Sequence, residues 1–170
     1  MKLKLSTLFA SAFIAVSTPA IAAAPEPVTL DPINHQSAEL QIRMTDGTVV
    51  TYTPAELESL PTYRITTKTP WRDDPAVFEG VLLMDLLKKH GIEGSAAIRV
   101  VAENEYTTSF DRKVWEAAPI LVATRVDGRA HSRRARGPIQ FVVASDDYEG
   151  SSVITEDHLV WMAAAIEVAE

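Results

Sequence analysis

Phe78-Glu79-Gly80-Val81-Leu82-Leu83-Met84-Asp85-Leu86-Leu87-Lys88-Lys89-His90-Gly91 is the stretch that decides the fold class of this chain. Its first four residues fit an extended segment. From Leu83 the spacing changes: Leu83, Leu86, Leu87 and His90 fall on one helical face, and Gly91 supplies a C-terminal stop. The spacing therefore predicts a strand that runs directly into a short helix over 83–90.

Upstream, Glu39 to Met44 alternates polar and apolar residues, Asp46-Gly47 marks a tight turn, and Val49 to Tyr52 returns as the second strand of a hairpin. Thr53-Pro54-Ala55-Glu56 has the order of a capping box with proline in the first helical turn, and Pro61 stops that helix. Tyr63 to Thr67 reads as a strand. Lys68 to Pro75, with two prolines, Trp71, Arg72, Asp73 and Asp74, is expected as an irregular loop. Downstream, strands are expected at Ala97 to Ala102 and Ile120 to Arg125. Between them Asp111 to Ala117 makes one or two helical turns, with a carboxylate at the N-terminal end where the helix dipole favours it. Asp127-Gly128 is another turn, Arg129 to Arg136 a polar basic segment ending at Gly137-Pro138, and Ile139 to Ala144 a buried strand. Short strands and short helices in irregular order predict an α+β domain with mixed sheets rather than a doubly wound sheet.

The N-terminus has a different character. Lys2 and Lys4 precede an apolar run from Leu5 to Val16, and Ala20-Ile21-Ala22 offers the small-x-small pattern of a cleavage site. Residues 1–22 are expected to be a signal peptide that exports the protein to the periplasm, since the run falls short of the roughly 20 residues that cross a bilayer. Residues 23–37 read as a flexible mature N-terminus and 38–170 as a single domain, with no further segment of membrane-spanning length.

The chain of 170 residues has 16 Lys and Arg against 23 Asp and Glu, a net charge of -7. Loss of the leader lysines makes it more acidic still, which argues against nucleic acid as a partner. The hydrophobic content of 46% suits a globular core. There is no cysteine, which removes disulfides, thiolate metal sites and cysteine nucleophiles together. His35, His90, His131 and His158 are scattered without metal-ligand spacing, so no metal site is expected. Gly-x-Ser-x-Gly, a phosphate-cradling glycine loop and His-Glu-x-x-His are all missing.

Phe78-Glu79-Gly80-Val81 with Leu83-Met84-Asp85-Leu86-Leu87 and Gly91 resembles the strand-to-helix segment of the sulfite-oxidase-type molybdopterin-binding domain. Further pieces follow in the family's order: Asn104-Glu105-Tyr106, Ile120-Leu121-Val122-Ala123, Asp127-Gly128, Gly137-Pro138-Ile139, and Trp161 with Ile166-Glu167-Val168. The resemblance spans residues 38 to 169. It implies that fold, and it places Thr67 or its neighbour where family enzymes carry the cysteine that ligates molybdenum. A threonine hydroxyl lacks the softness of a thiolate, so catalysis is not expected. Within the family the chain resembles a cysteine-free periplasmic branch. That branch binds reduced pterins and acts on the periplasmic domain of a membrane-bound cyclic-di-GMP cyclase/phosphodiesterase. The alternatives are a molybdopterin-dependent oxidoreductase with an oxygen ligand and an accessory subunit of an exported complex.

A pterin site needs an aromatic face and groups that match an amino-pyrimidinone edge. Trp71 is the candidate for stacking, although a tryptophan sealing a core has the same appearance. Arg72, Asp73 and Asp74 flank it. The two aspartates read either as acceptors for the ring edge or as a solvated turn. Tyr106, Thr107 and Ser109, with Thr108, form a second candidate segment that reads equally as an ordinary strand. The basic run with Arg125, Arg129, Arg133, Arg134 and Arg136 stands out in an acidic protein. It reads as a solvated face, as an anion site, or as a docking patch for an acidic partner, the last being preferred. Trp115 and Trp161 are expected in the core.

Overall fold

Residues 24–169 are described by the computed structural model; the expected leader over 1–22 lies outside the described residues. In chain order the strands are β1 (Glu26–Val28), β2 (Leu40–Arg43), β3 (Val49–Tyr52), β4 (Thr62–Thr69), β5 (Arg72–Leu82), β6 (Ala97–Ala102), β7 (Thr107–Asp111), β8 (Leu121–Val126), β9 (Arg129–Ala130), β10 (Gln140–Val142) and β11 (Ala163–Ala169). The helices are α1 (Pro54–Leu57), α2 (Leu83–Lys89), α3 (Arg112–Ala117) and α4 (Ser145–Glu149), with single 3-10 turns at Arg133–Ala135 and Glu156–His158. The fold is α+β. None of the described helices is long and apolar enough to cross a membrane.

The strands make two sheets. The first has the order β1-β4-β5-β8-β10, with β9 also paired to β8; the second has the order β3-β2-β11-β6-β7. In the second sheet β11 lies parallel to β2 and antiparallel to β6. Side chains alternate across each strand, and in β8 this sends Val122 into the main core while Leu121 and Ala123 face a smaller cluster with Ile65, Phe78 and Val142. Strand β8 is therefore buried on both faces. Gly80, in β5, sits at a register shift against β8, where a Cβ would lie 2.1 Å from the Val122 carbonyl oxygen. Only glycine lets these backbones approach so closely.

Local chemistry explains the short helices. Thr53 and Glu56 form the capping box: the Thr53 hydroxyl accepts from the Glu56 N–H at 3.3 Å, and the Glu56 carboxylate accepts from the Thr53 N–H at 2.7 Å. Strand β5 passes straight into α2, which buries Leu83, Leu86 and Leu87, as their spacing predicts.

Two segments differ from expectation. The stretch from Lys68 to Pro75 is a hairpin tip, with Thr69 paired to Arg72. Pro75 is tolerated inside β5 because the pairing with β4 is irregular between Thr67 and Thr69, and β8 joins β5 only from Phe78 onward. Nor is 23–37 a loose tail over its described part. Strand β1 pairs with β4, the Thr62 hydroxyl donates to the Val28 carbonyl at 2.5 Å, and the Asp31 carbonyl accepts from Arg125 at 2.7 Å. His35 Nε2 stands 3.1 Å from the Glu58 carboxylate. The segment covers a buried ion pair that composition does not reveal.

Candidate functional site

The β4–β5 hairpin delivers Trp71 to the place where three other segments converge: the turn at 133–135, the loop before β7, and the stretch from the 156–158 turn to Trp161. The Arg136 guanidinium lies 4.4 Å from the centre of the Trp71 ring and 4.9 Å from that of Trp161. One cation thus links two indoles, each contact contributing about 0.5–2 kcal/mol. Trp161, expected in the core, is 37% exposed.

The backbone is unusual here. Four non-glycine residues among those described have left-handed φ, and three belong to this site or adjoin its aromatic residues: Glu105 (66°) before Tyr106, Arg136 (79°), and Met162 (56°) after Trp161. The Met162 N–H donates to the Arg136 carbonyl at 3.1 Å, tying two of them together. Each such conformation costs roughly 1–3 kcal/mol and persists where the surroundings fix it, as they do at binding sites.

Two hollows share the indoles. The first, about 340 Å³, is basic and is lined by Thr69, Arg72, Arg133, Arg134, Arg136 and Gln140 with the two tryptophans. Arg133 is neutralised by Glu103 at 2.7 Å, and Arg72 lies 3.6 Å from Asp127. Arg134 and Arg136 have no ion-pair partner among the described residues. Burial holds the His131 pKa below its ordinary value, so its neutral ring donates from Nε2 to the Gln140 Oε1 at 2.8 Å. That bond fixes the orientation of the Gln140 amide.

The second hollow, about 250 Å³, is aromatic and acidic. Trp71, Tyr106 and Trp161 line it, Leu159 and Val160 add apolar surface, and Asn104, Glu156 and Asp157 supply polar groups. Tyr106 is 40% exposed, and its hydroxyl donates to Asp157 Oδ1 at 3.1 Å. Burial and the Asp157 carboxylate raise the Tyr106 pKa, so the phenol stays protonated at neutral pH.

The structure thus brings Trp71 and Tyr106 together, with Arg72, Arg133, Arg134 and Arg136 beside them. It separates the other candidates. Asp73 borders a third hollow with Lys68, Tyr148 and Glu149, while Asp74 is exposed on β5 and lines none of the three. The acidic groups that share a hollow with Trp71 and Tyr106 are instead Asp157 and Glu156, since the aspartates lie on β5 beyond the hairpin tip that carries the indole. Thr107 and Ser109 are exposed on the edge strand β7, and the Thr107 hydroxyl donates to the Glu105 carbonyl at 3.3 Å. Arg129 lies on β9, outside the basic hollow. Arg125 is buried against Glu58 rather than displayed with the other arginines. Trp161 and Asp157 escape sequence reasoning, the former because an aromatic residue in an apolar tail resembles core.

Thr67 is buried, and its hydroxyl accepts from the Ser145 N–H at 2.7 Å while donating to the Lys68 carbonyl at 3.1 Å. An oxygen so engaged is poorly suited to ligate molybdenum. Among the described residues no group of three or more His, Asp or Glu side chains is placed to hold a metal ion. No protein-family model matches the chain, and a search of curated proteins finds no significant relative.

Proposed function

We propose that this is an exported, non-catalytic pterin-binding protein of the sulfite-oxidase-type fold. The observation that carries the proposal is the meeting of Trp71, Tyr106 and Trp161 in one hollow, drawn from segments far apart in sequence and held by strained backbone. A reduced pterin is a flat bicycle with an apolar face and a hydrogen-bonding edge. Stacking such a ring on an aromatic side chain contributes about 1–3 kcal/mol, and three aromatic walls with a few polar groups match the usual composition of a small-molecule site. The polyol tail or an anionic substituent would reach the basic hollow across the shared indoles.

Downstream, the pterin-loaded protein regulates a membrane-bound cyclic-di-GMP cyclase/phosphodiesterase through that enzyme's periplasmic domain. Arg134 and Arg129, exposed and without ion-pair partners among the described residues, offer a docking surface for an acidic partner. An oxygen-ligated molybdenum enzyme has less support, because the Thr67 hydroxyl is already bonded to backbone.

Calorimetric titration of the purified protein with tetrahydrobiopterin, without added metal, tests the binding. Saturable binding is expected, and Trp71→Ala abolishes it while leaving the circular dichroism spectrum unchanged. Absence of saturable binding to any reduced pterin by the unaltered protein sinks the proposal.

A further inference from the structure

Resting on that pterin-binding reading, we infer that Asp157 is the specificity-determining residue, its carboxylate accepting the two N–H donors of a 2-amino-4-oxo ring edge. Four observations carry this. Asp157 lines the same hollow as Trp71, Tyr106 and Trp161, so an edge reader there lies beside the stacking faces. Its Oδ1 accepts the Tyr106 hydroxyl at 3.1 Å, which orients the group yet leaves Oδ2 and a second lone pair of Oδ1 open.

The turn that presents Asp157 is fixed from behind. The Thr155 N–H donates to the His158 Nδ1 at 2.9 Å, and the buried His158 ring packs edge-on against Phe110 at 4.8 Å between centroids. The competing carboxylates are placed less well: Asp73 and Asp74 lie away from the hollow, and Glu156 takes the Tyr148 hydroxyl at 3.3 Å toward the neighbouring one.

A carboxylate accepts two parallel N–H bonds and donates none. The 2-amino-4-oxo edge of a pterin offers N3–H and the 2-amino group side by side. The 2,4-dioxo edge of a lumazine replaces the amino donor with a carbonyl acceptor, which would face the carboxylate and repel it. The Asp157→Asn substitution puts an amide there that can donate to that carbonyl, so the preference should invert.

The test is titration of the full mature protein with tetrahydrobiopterin and with its 2-oxo lumazine counterpart, for the unaltered chain and Asp157→Asn. The unaltered protein is expected to favour the pterin by at least about tenfold. Asp157→Asn should weaken the pterin by at least about tenfold and bind the lumazine equally or better, which also shows that the variant is folded. Unchanged pterin affinity in Asp157→Asn, equal loss of both ligands, or no discrimination by the unaltered protein overturns the inference while pterin binding itself stands. Failure of the unaltered protein to bind either compound overturns both.

Discussion

Glu58 shows how much a single side chain organises. Its carboxylate binds Arg125 at 2.5 and 2.9 Å, accepts the Thr124 hydroxyl at 2.6 Å and meets His35 at 3.1 Å. The Arg125 and Glu58 side chains are only 5% and 7% exposed. Removing one partner of such a pair strands the other, so Glu58→Ala should lower unfolding free energy by about 3–5 kcal/mol, measurable by urea titration. Burial pulls the Glu58 pKa upward, but the hydrogen bonds from Arg125 and Thr124, with His35 close by, outweigh it and leave the carboxyl below its ordinary 4.5. A depressed carboxyl stabilises the fold above its unfolded pKa and loses that contribution as pH falls through the folded value. The melting temperature should therefore drop below about pH 4.5, and Glu58→Gln should remove part of that drop while melting lower at pH 7. None of this is legible in the sequence, where Arg125 joins a basic run and Glu58 is an ordinary surface glutamate. Ion pairing across dozens of residues leaves no periodic trace.

Elements are legible where local chemistry determines them. The capping box at Thr53, the hairpin around Asp46-Gly47 and the strand-to-helix passage into α2 each depend on residues within one turn of each other. The β4–β5 hairpin tip is not legible in this way, because two prolines and two aspartates describe a loop unless the neighbouring strands are known. Its consequence for the candidate site is direct: Trp71 is recognisable as an aromatic candidate, whereas the acidic group that shares its hollow is not its sequence neighbour but Asp157. Gly80 gives the sharpest test at this scale. An added methyl would collide with the Val122 carbonyl, which belongs to a strand buried on both faces and cannot retreat. Gly80→Ala should destabilise by about 1–3 kcal/mol or more and separate β5 from β8, with faster hydrogen exchange at the Val122 and Ala123 amides as the readout.

Across the whole molecule, the described part of the N-terminal segment behaves as part of the body. It adds a strand to the first sheet, covers the Glu58–Arg125 pair, and reaches the basic hollow through the Ser37 carbonyl, which accepts from Arg133 at 2.9 Å. A chain shortened to begin at Ala38 should melt lower by about 5 °C or more than one that begins at Ala24. An unchanged melting temperature would show that the segment merely rests on the surface. The α+β class is legible from the order of short elements, but the division of strands between two sheets is not, since it depends on pairings between distant parts of the chain.

Strand β11 has a further consequence for how the protein forms. It is the central strand of the second sheet, holding the β2–β3 hairpin on one side and the β6–β7 hairpin on the other. Neither hairpin meets the other without it, and isolated two-stranded units are marginal in water. A chain emerging from its N-terminus therefore cannot complete this sheet until residues 163–169 are free. Until then the β2–β3 and β6–β7 hairpins have no shared strand to join them, whereas the first sheet draws on no residue beyond Val142.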